Sequence, residues 1–258
     1  MDILDSYLTS EPSNQNILDL FKNEWTSHLP AEHNLTMTPG TSGLFEDPRI
    51  EWASSLLGPF KNTNILELGP LEGGHSYMLS SLGANVTAIE SNTRAFLKCL
   101  CIKEILKLSS IQFRLGDFRE FLKSTTDRYD IVIASGVLYH MTEPVELIKN
   151  ISKVADKVFL WTHYYDADVL NANSFLKTKY SATGTYTYDG IEYDYATQEY
   201  LDALDWSGFC GGSKPTSRWL TKNSILQALT HYGFSRIEIS FDEPLHPNGP
   251  AFGICAFK

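Results

Sequence analysis

The feature that most limits the fold of this chain is an alternation of short apolar segments with helix-like segments, which begins at Asn64. Apolar segments at 64–68, 86–89, 111–115, 131–134 and 157–161 predict five strands, and segments with helical spacing at 74–82, 93–108 and 144–154 predict helices among them. Strands that alternate with helices indicate βαβ units, and therefore a parallel sheet with helices on both faces.

The end of the chain departs from this alternation. A predicted helix at 221–232 is stopped by Gly233, and two further strands follow at 236–241 and 252–257. No helix fits between these two strands, so we expect them to pair antiparallel. The expected fold class is therefore α/β, with a Rossmann-like sheet of seven strands that closes with an antiparallel hairpin.

Two segments lie outside the regular part of the chain. Residues 1–62 are expected to form a helical N-terminal segment interrupted by a loop at 39–43, and residues 63–258 to form the main domain. The stretch from about 164 to 218 follows the fifth strand and is too long for an ordinary connection. We expect it to form an inserted cap.

The predicted cap is acidic and rich in tyrosine. From Asp166 to Trp206 it has eight carboxylates and two lysines, and eight of the thirteen tyrosines lie between Tyr164 and Tyr200. Such a surface suits a cationic or polar small substrate, which carboxylates and aromatic faces would bind. The alternative is a solvated cap, or an oligomer contact, whose tyrosines pack on the body of the protein.

Charge and composition exclude several classes of protein. The net charge of −10 argues against a module that binds nucleic acid by neutralising phosphates, so a nucleic-acid partner is not expected. No signal peptide and no stretch of about 20 apolar residues is visible, so we expect a cytoplasmic protein without a membrane partner. The four cysteines have neither CxxC nor zinc spacing. We expect buried free thiols and no metal site.

Distinctive residues follow four successive predicted strands. The first strand ends at Gly69 in a glycine-bearing turn, the second at Glu90, the third at Asp117 and Phe118, and the fourth at Ser135. Open α/β sheets bind their ligands at this edge, where the carboxyl ends of the strands meet. Glycines let a ligand approach the backbone, and a carboxylate after the second strand suits the two hydroxyls of a ribose. Each feature alone has a structural explanation, such as Asp117 capping the next helix, but the four together indicate a nucleoside-containing cofactor.

The turn after the first strand is not the dinucleotide-binding fingerprint. In the pattern Gly-x-Gly-x-x-Gly the second glycine lets the pyrophosphate approach, and Leu71 stands at that position here. The motif GxxxxGK[ST] does not occur, which excludes a P-loop. An oxidoreductase that uses NAD is therefore a distant alternative.

Four segments resemble the successive motifs of the class I S-adenosylmethionine-dependent methyltransferases: Leu66-Glu67-Leu68-Gly69, Ala88-Ile89-Glu90, Leu115-Gly116-Asp117-Phe118 and Tyr129-Asp130-Ile131-Val132. The likeness spans about 64–161, and the terminal helix and hairpin also match that fold. It implies S-adenosylmethionine as the cofactor and S-adenosylhomocysteine as its product, with residues 40–45 closing over the cofactor. The cofactor-binding residues that the resemblance implies are Gly69 and Gly73 at the methionine part, Glu90 at the ribose, Asp117 and Phe118 at the adenine, and Glu67 and Ser135 beside them. His75, which opens the first predicted helix, could contact the cofactor carboxylate or bond to the glycine-bearing turn.

The segment Ser135-Gly136-Val137-Leu138-Tyr139-His140-Met141 is similar to the corresponding segment of bacterial tRNA wobble-uridine modifying transferases and of many small-molecule methyltransferases. The transferable methyl group is expected at this place, and the ordinary pKa of His140 suits a general base at neutral pH. A histidine that orients the loop or touches the cofactor is the other explanation. His163 and Tyr164, after the fifth strand, are candidates to face the acceptor, and packing is their alternative role.

These observations predict an enzyme that transfers a methyl group from S-adenosylmethionine to an oxygen or nitrogen atom of a small-molecule acceptor. A monomer or a homodimer is expected. One alternative is a transferase that modifies the wobble uridine of tRNA. Another is a protein that binds S-adenosylmethionine without catalysing a reaction.

Overall fold

The computed structural model describes residues 6–172, 174–206 and 208–258 of the chain. The strands in these ranges are β1 (Trp25–Ser27), β2 (Pro39–Ser42), β3 (Asn64–Leu68), β4 (Asn85–Glu90), β5 (Ile111–Leu115), β6 (Ile131–Ser135), β7 (Lys157–His163), β8 (Tyr180–Tyr188), β9 (Ile191–Glu199), β10 (Thr216–Leu220), β11 (Arg236–Glu243) and β12 (Ala251–Phe257). The helices are α1 (Asn14–Asp19), α2 (Pro48–Leu57), α3 (Gly74–Ser81), α4 (Thr93–Ile105), α5 (Phe118–Ser124), α6 (Pro144–Val154), α7 (Ala167–Ala172), α8 (Ser174–Lys177) and α9 (Lys222–His231).

A seven-stranded sheet forms the centre of the protein, with the strand order β11-β12-β7-β6-β3-β4-β5. The five strands from β7 to β5 in this order run parallel to one another. Strand β12 pairs antiparallel with β7, and β11 pairs antiparallel with β12. The predicted α/β class, the seven strands and the terminal antiparallel hairpin are confirmed.

The central strands send alternate side chains into two apolar layers. Leu66 and Val132 pack with α5, α6 and α9 on one face, whereas Ile65 and Ile133 pack with α2, α3 and α4 on the other. Both faces of the sheet are covered by helices, so these strands are apolar throughout rather than alternating with polar residues. The carboxyl ends of the parallel strands lie at one edge of the sheet.

The N-terminal segment differs from the expected helical one. It contains α1 and α2, but β1 and β2 pair in parallel between them, so the prediction of a loop at 39–43 is wrong over Pro39–Ser42. Gly40 has a φ of 54°, and a Cβ atom there would lie 2.3 Å from the Met37 carbonyl oxygen. The glycine therefore serves a close backbone approach within this small sheet rather than a loop.

A buried ion pair fastens this segment to the turn after β3. The Lys98 ammonium lies 3.0 Å from the Glu72 carboxylate, and the two side chains are 7% and 0% exposed. The same carboxylate accepts hydrogen bonds from the Thr26 and Ser27 amides in β1, both at 2.9 Å. Lys98 also donates to the Glu24 carbonyl. Helix α4, the turn and the N-terminal segment therefore share one buried charge pair.

The segment expected at 164–218 contains α7, α8 and most of a three-stranded antiparallel sheet with the order β10-β9-β8, in which β10 continues to Leu220. Strands β8 and β9 form a hairpin that turns at Asp189 and Gly190, both of which have positive φ. Tyr193 is fully buried, and Tyr186 packs against the same apolar cluster as α6 and α9. This packing favours the structural explanation for the tyrosines of the cap.

Removing the Lys98 charge is expected to destabilise the fold strongly. Lys98→Met leaves the Glu72 carboxylate buried without its cation, and breaking such a pair costs about 3 kcal/mol or more. Urea unfolding measures the change. Lys107→Met is the control, because its pair with Glu104 is exposed and should contribute nothing measurable. Equal unfolding midpoints for Lys98→Met and the native protein would contradict this expectation.

Candidate functional site

A cavity of about 690 Å³ opens at the carboxyl ends of the parallel strands. Seven of the residues predicted from the sequence line it: Gly69, His75, Glu90, Asp117, Phe118, Ser135 and His140. Four others, Glu67, Gly73, His163 and Tyr164, are not part of its lining. The topology of the sheet therefore brings together residues from four strand ends, as expected for this fold.

Glu90 connects the end of β4 to the turn after β3. Its carboxylate accepts hydrogen bonds from the Leu71 amide at 3.2 Å and from the Asn92 amide at 2.8 Å. Burial raises the pKa of Glu90, and these amides oppose that shift. Leu71 has a φ of 56°, so this leucine adopts the left-handed conformation that usually requires glycine. The turn therefore keeps a tight geometry without the second glycine of the fingerprint.

Glu67 and Gly73 support the turn and, contrary to the expectation from the sequence, do not reach the cavity. Glu67 is buried and accepts a hydrogen bond from the Ser76 hydroxyl at the start of α3. Burial raises the pKa of the Glu67 carboxyl. Gly73 precedes the first residue of α3 and has a φ of 80°. A Cβ atom on Gly73 would lie 3.2 Å from the Phe113 ring.

Asp117 has both of the roles that the sequence left open. It caps α5 by accepting the Arg119 amide at 2.8 Å, and it also lines the cavity beside Phe118. The Arg119 guanidinium donates to both carboxylate oxygens. Burial raises the pKa of Asp117, but the hydrogen bonds from Arg119 outweigh it and leave the pKa below its ordinary value. A fixed, ionised carboxylate therefore faces the cavity from the end of β5.

A hydrogen-bonded group from the N-terminal segment forms another wall. Asp47 lies 2.8 Å from His75 Nε2 and forms an ion pair with Arg49. Burial raises the pKa of Asp47, but the hydrogen bonds from His75 and Arg49 lower it well below its ordinary value. The Arg49 guanidinium lies 4.5 Å from the centre of the Trp161 ring, and Leu44 also lines the cavity. Sequence reasoning missed Arg49 and Trp161, because only the tertiary fold brings α2 beside β7.

His140 is held by a tyrosine of the cap. Its Nδ1 lies 2.6 Å from the Tyr200 hydroxyl, and its ring packs beside Tyr139. Burial lowers the pKa of His140 to about 3, with a further contribution from His163. The imidazole is therefore neutral at pH 7. A neutral ring with one nitrogen bound by Tyr200 suits a hydrogen-bonding role better than proton abstraction from a weak acid.

His163 and Tyr164 lie in the core beside the cavity, contrary to the expectation that they face the acceptor. The His163 ring stacks on Trp219 at 4.9 Å, and its Nδ1 is 2.8 Å from the Gly249 carbonyl oxygen. Burial lowers the pKa of His163 to about 4. Tyr164 is 4% exposed against Phe252, and burial raises its pKa to about 12. These contacts are those of packing residues.

A glycine-rich loop of the cap covers the cavity. Trp206 and residues 208–214 belong to the lining, and the Asn92 side-chain amide donates a 3.1 Å hydrogen bond to the Phe209 carbonyl. The Phe209 ring contacts Tyr200, which in turn binds His140. The three glycines at 208, 211 and 212 are the sequence signal that could have identified this loop. Cys210 in it is exposed, so the expectation of a buried thiol is wrong there.

Removing the hydrogen bond from Asn92 is expected to open this loop without weakening α4. Asn92 Oδ1 caps the helix by accepting the Ala95 amide at 2.9 Å. Asn92→Ser keeps a good capping oxygen but lacks the donor that reaches Phe209. Hydrogen exchange of the backbone amides in peptides that cover 208–214 should then accelerate by about fivefold, because the lost hydrogen bond contributes about 1 kcal/mol to loop closure. Asn92→Ala is the control and should also lose about 1 kcal/mol of stability.

Lowering the pH is expected to destabilise the protein through His163. Its ordinary pKa is 6.5, so below pH 6.5 the unfolded chain binds a proton that the folded chain, with a pKa of about 4, does not. Stability present above pH 6.5 is thus lost as the pH falls towards 4, by up to about 1.4 kcal/mol per pH unit. His163→Asn keeps a donor for Gly249 and cannot titrate. The free energy of unfolding in urea should fall less steeply with decreasing pH for His163→Asn than for the native protein. Identical slopes for the two proteins would refute this assignment.

In the described ranges, no group of three or more histidine, cysteine, aspartate or glutamate side chains is arranged to hold a metal ion. The same residues include no helix with the length and apolarity that crossing a bilayer requires.

Known proteins resemble this chain in sequence or in fold. A tRNA U34 carboxymethyltransferase of Campylobacter hominis is 29% identical over 149 residues, a match that spans about half of each chain (52% and 52%). The N-terminal domain of EvdMO1, crystallised with SAH and D-fucose, superposes with a TM-score of 0.60 at 23% identity over 85% of this chain and 84% of that one. The Burkholderia thailandensis 1,6-didemethyltoxoflavin-N1-methyltransferase was solved with 1,6-didemethyltoxoflavin and S-adenosylhomocysteine bound. It superposes with a TM-score of 0.55 at 11% identity, over 84% of this chain and 79% of that one.

The two solved structures show the fold that this chain shares. A family profile described as a methyltransferase domain matches residues 59–199, which is more than half of the chain. That range includes the turn after β3, the ends of β4 to β7 and the first two strands of the cap sheet. The chain belongs to this methyltransferase domain family.

Proposed function

We propose that this protein transfers the methyl group of S-adenosylmethionine to an oxygen or nitrogen atom of a small molecule. The observation that carries the proposal is the position of the Glu90 carboxylate, at the end of β4 and against the turn after β3, facing the cavity. Family membership supports it, as does the likeness to two structures that hold S-adenosylhomocysteine together with a small molecule.

The residues present fit such a cofactor. Gly69 belongs to the lining of the cavity. Its φ of 65°, and the 2.7 Å that would separate a Cβ atom there from Val137, exclude a larger residue at this point. Glu90 would accept hydrogen bonds from the ribose hydroxyls, and Asp117 would accept one from the adenine amine beside Phe118. The cofactor supplies an activated methyl group on a sulfonium. The protein positions the acceptor and excludes water, which are the main contributions required for such a transfer.

His140 would orient the acceptor rather than deprotonate it. Tyr200 binds Nδ1, and Nε2 has no hydrogen-bond partner among the described residues. A neutral imidazole can donate to or accept from an acceptor hydroxyl or amine at that atom. The loop at 208–214 would keep water out of the site while the acceptor is bound.

A thermal shift experiment on Glu90→Ala tests the cofactor assignment. A ligand at 100 times its Kd stabilises by about 2.7 kcal/mol, a rise in Tm of about 5 °C or more for a chain of this size. S-adenosylhomocysteine should raise the Tm of the native protein and of the control Glu104→Ala, whose carboxylate is exposed on α4. It should not raise the Tm of Glu90→Ala. A native protein that does not respond, or an undiminished response in Glu90→Ala, would refute the proposal.

A tRNA acceptor is the second candidate, because the Campylobacter relative acts on tRNA U34 by its name. Filter binding of bulk tRNA at low and high salt separates the two candidates. Affinity with a steep salt dependence would replace the small-molecule proposal, whereas no binding at low salt supports it. Cofactor binding without methylation of any acceptor in a broad screen would instead indicate a non-catalytic binding protein.

A further inference from the structure

The charges that line the cavity are divided between its two sides. Its two carboxylates, Glu90 and Asp117, belong to the ends of β4 and β5, on the side where the nucleoside would bind. Arg119 lines the same side and is paired with Asp117. Among the described lining residues, Arg49 of α2, which lies over Trp161 of β7, and Lys214 of the cap loop are the other two with a positive charge, and Asp47, which pairs with Arg49, is not in the lining.

The carboxylates of the cap do not change this balance. None of the eight lies in the lining of the cavity. Several have partners elsewhere: Asp166 accepts the Asp168 and Val169 amides, Asp189 pairs with Lys149, Asp194 accepts from Thr185, and Glu199 accepts from Ser181. The acidity of the cap is therefore no basis for binding a cationic acceptor in the cavity.

Arg49 has the features of a prepared anion site. Its Nε and Nη2 donate to Asp47, and its guanidinium lies over the Trp161 ring, so the side chain is held from two sides. Nη1 has no hydrogen-bond partner within the described ranges. A guanidinium that is already oriented loses little entropy when it binds a carboxylate or phosphate oxygen.

The position of Trp161 places this site on the acceptor side. Trp161 pairs with Ser135 across β7 and β6, and β6 lies between β7 and β3. With strands about 4.8 Å apart, Trp161 is about 10 Å from the strand that begins the cofactor turn. Tyr139 lies edge-on to Trp161, with 6.2 Å between the ring centres, and Phe209 lines the cavity from the cap loop. An acceptor here would present a flat apolar body to the rings and an anion to the guanidinium.

We propose that the methyl acceptor is an aromatic or otherwise planar molecule with an anionic group, a carboxylate or phosphate, that binds Arg49 Nη1. This proposal rests on the proposed function, because it assigns the acceptor for the same cavity. Lys214, an exposed residue of the cavity lining, adds a second positive charge.

Three probes of one shape and different charge test the proposal: 1-naphthoate, 1-naphthamide and 1-naphthylmethylammonium. Calorimetric titration into protein saturated with S-adenosylhomocysteine should show the tightest binding for naphthoate. Arg49→Gln should weaken the binding of naphthoate by about tenfold or more, because a hydrogen bond between charged groups is lost. The affinity for 1-naphthamide should not change. Arg49→Lys should retain part of the preference, and the exposed Arg236→Gln should retain all of it.

The carboxylate that binds Arg49 can belong to the acceptor or to the methionine part of the cofactor, and the experiment distinguishes the two. The methionine part of the cofactor has its own carboxylate, which 5′-methylthioadenosine lacks. Equal naphthoate affinity in protein saturated with either nucleoside supports an acceptor site. Naphthoate that binds only the methylthioadenosine form would overturn the proposal and assign Arg49 to the cofactor.

Preference for the ammonium probe, or no loss in Arg49→Gln, would overturn the proposal as well. A rise in Tm with S-adenosylhomocysteine shows that each variant is folded and that its cofactor site is intact. The absence of this rise in the native protein would instead be a failure of the proposed function, so the two failures are distinguishable.

Discussion

Three buried carboxylates hold the turn that follows β3, and the geometry of the site depends on this turn. Glu67 accepts a hydroxyl hydrogen bond from the start of α3, Glu72 pairs with Lys98 of α4, and Glu90 accepts the Leu71 amide. Carboxylates at such depth are costly unless they have partners. The partners come from two helices, from β1 and from the turn itself, so satisfying them fixes these elements relative to one another.

The sheet and its cofactor edge could be predicted because their signals are local and their arrangement follows from topology. Strand β3 and helix α6 have the bounds that hydrophobic spacing predicts. Once the strands are parallel, Glu90, Asp117 and Ser135 must meet at one edge without any knowledge of side-chain packing. Glu67 was assigned to the cofactor from a motif alone, and the direction of its side chain, which points into the protein, is a tertiary property.

The walls of the cavity that α2, β7 and the cap loop form could not be predicted in this way, because their residues meet only through long-range contacts. Arg49 reaches Trp161 from a different part of the chain, and Phe209 reaches Asn92 over more than a hundred residues. Strand β2 contains a proline and a glycine that locally indicate a loop, and only its pairing with β1 overrides them. In contrast, the hairpin of the cap had a recognisable signal in Asp189-Gly190, a favoured two-residue turn.

The charge of the cap and the charge of the cavity act over different distances. The net charge of −10 is carried mostly by exposed groups, which are screened beyond about 8 Å at physiological salt. Arg49 is mostly buried and paired with the ionised Asp47, so it would bind an anion mainly through an oriented hydrogen bond from Nη1 that water screens little. The overall charge therefore bears on a partner that contacts the outer surface, such as tRNA with its row of phosphates. For a small molecule bound inside the cavity, the residues of the lining determine which charge is accepted.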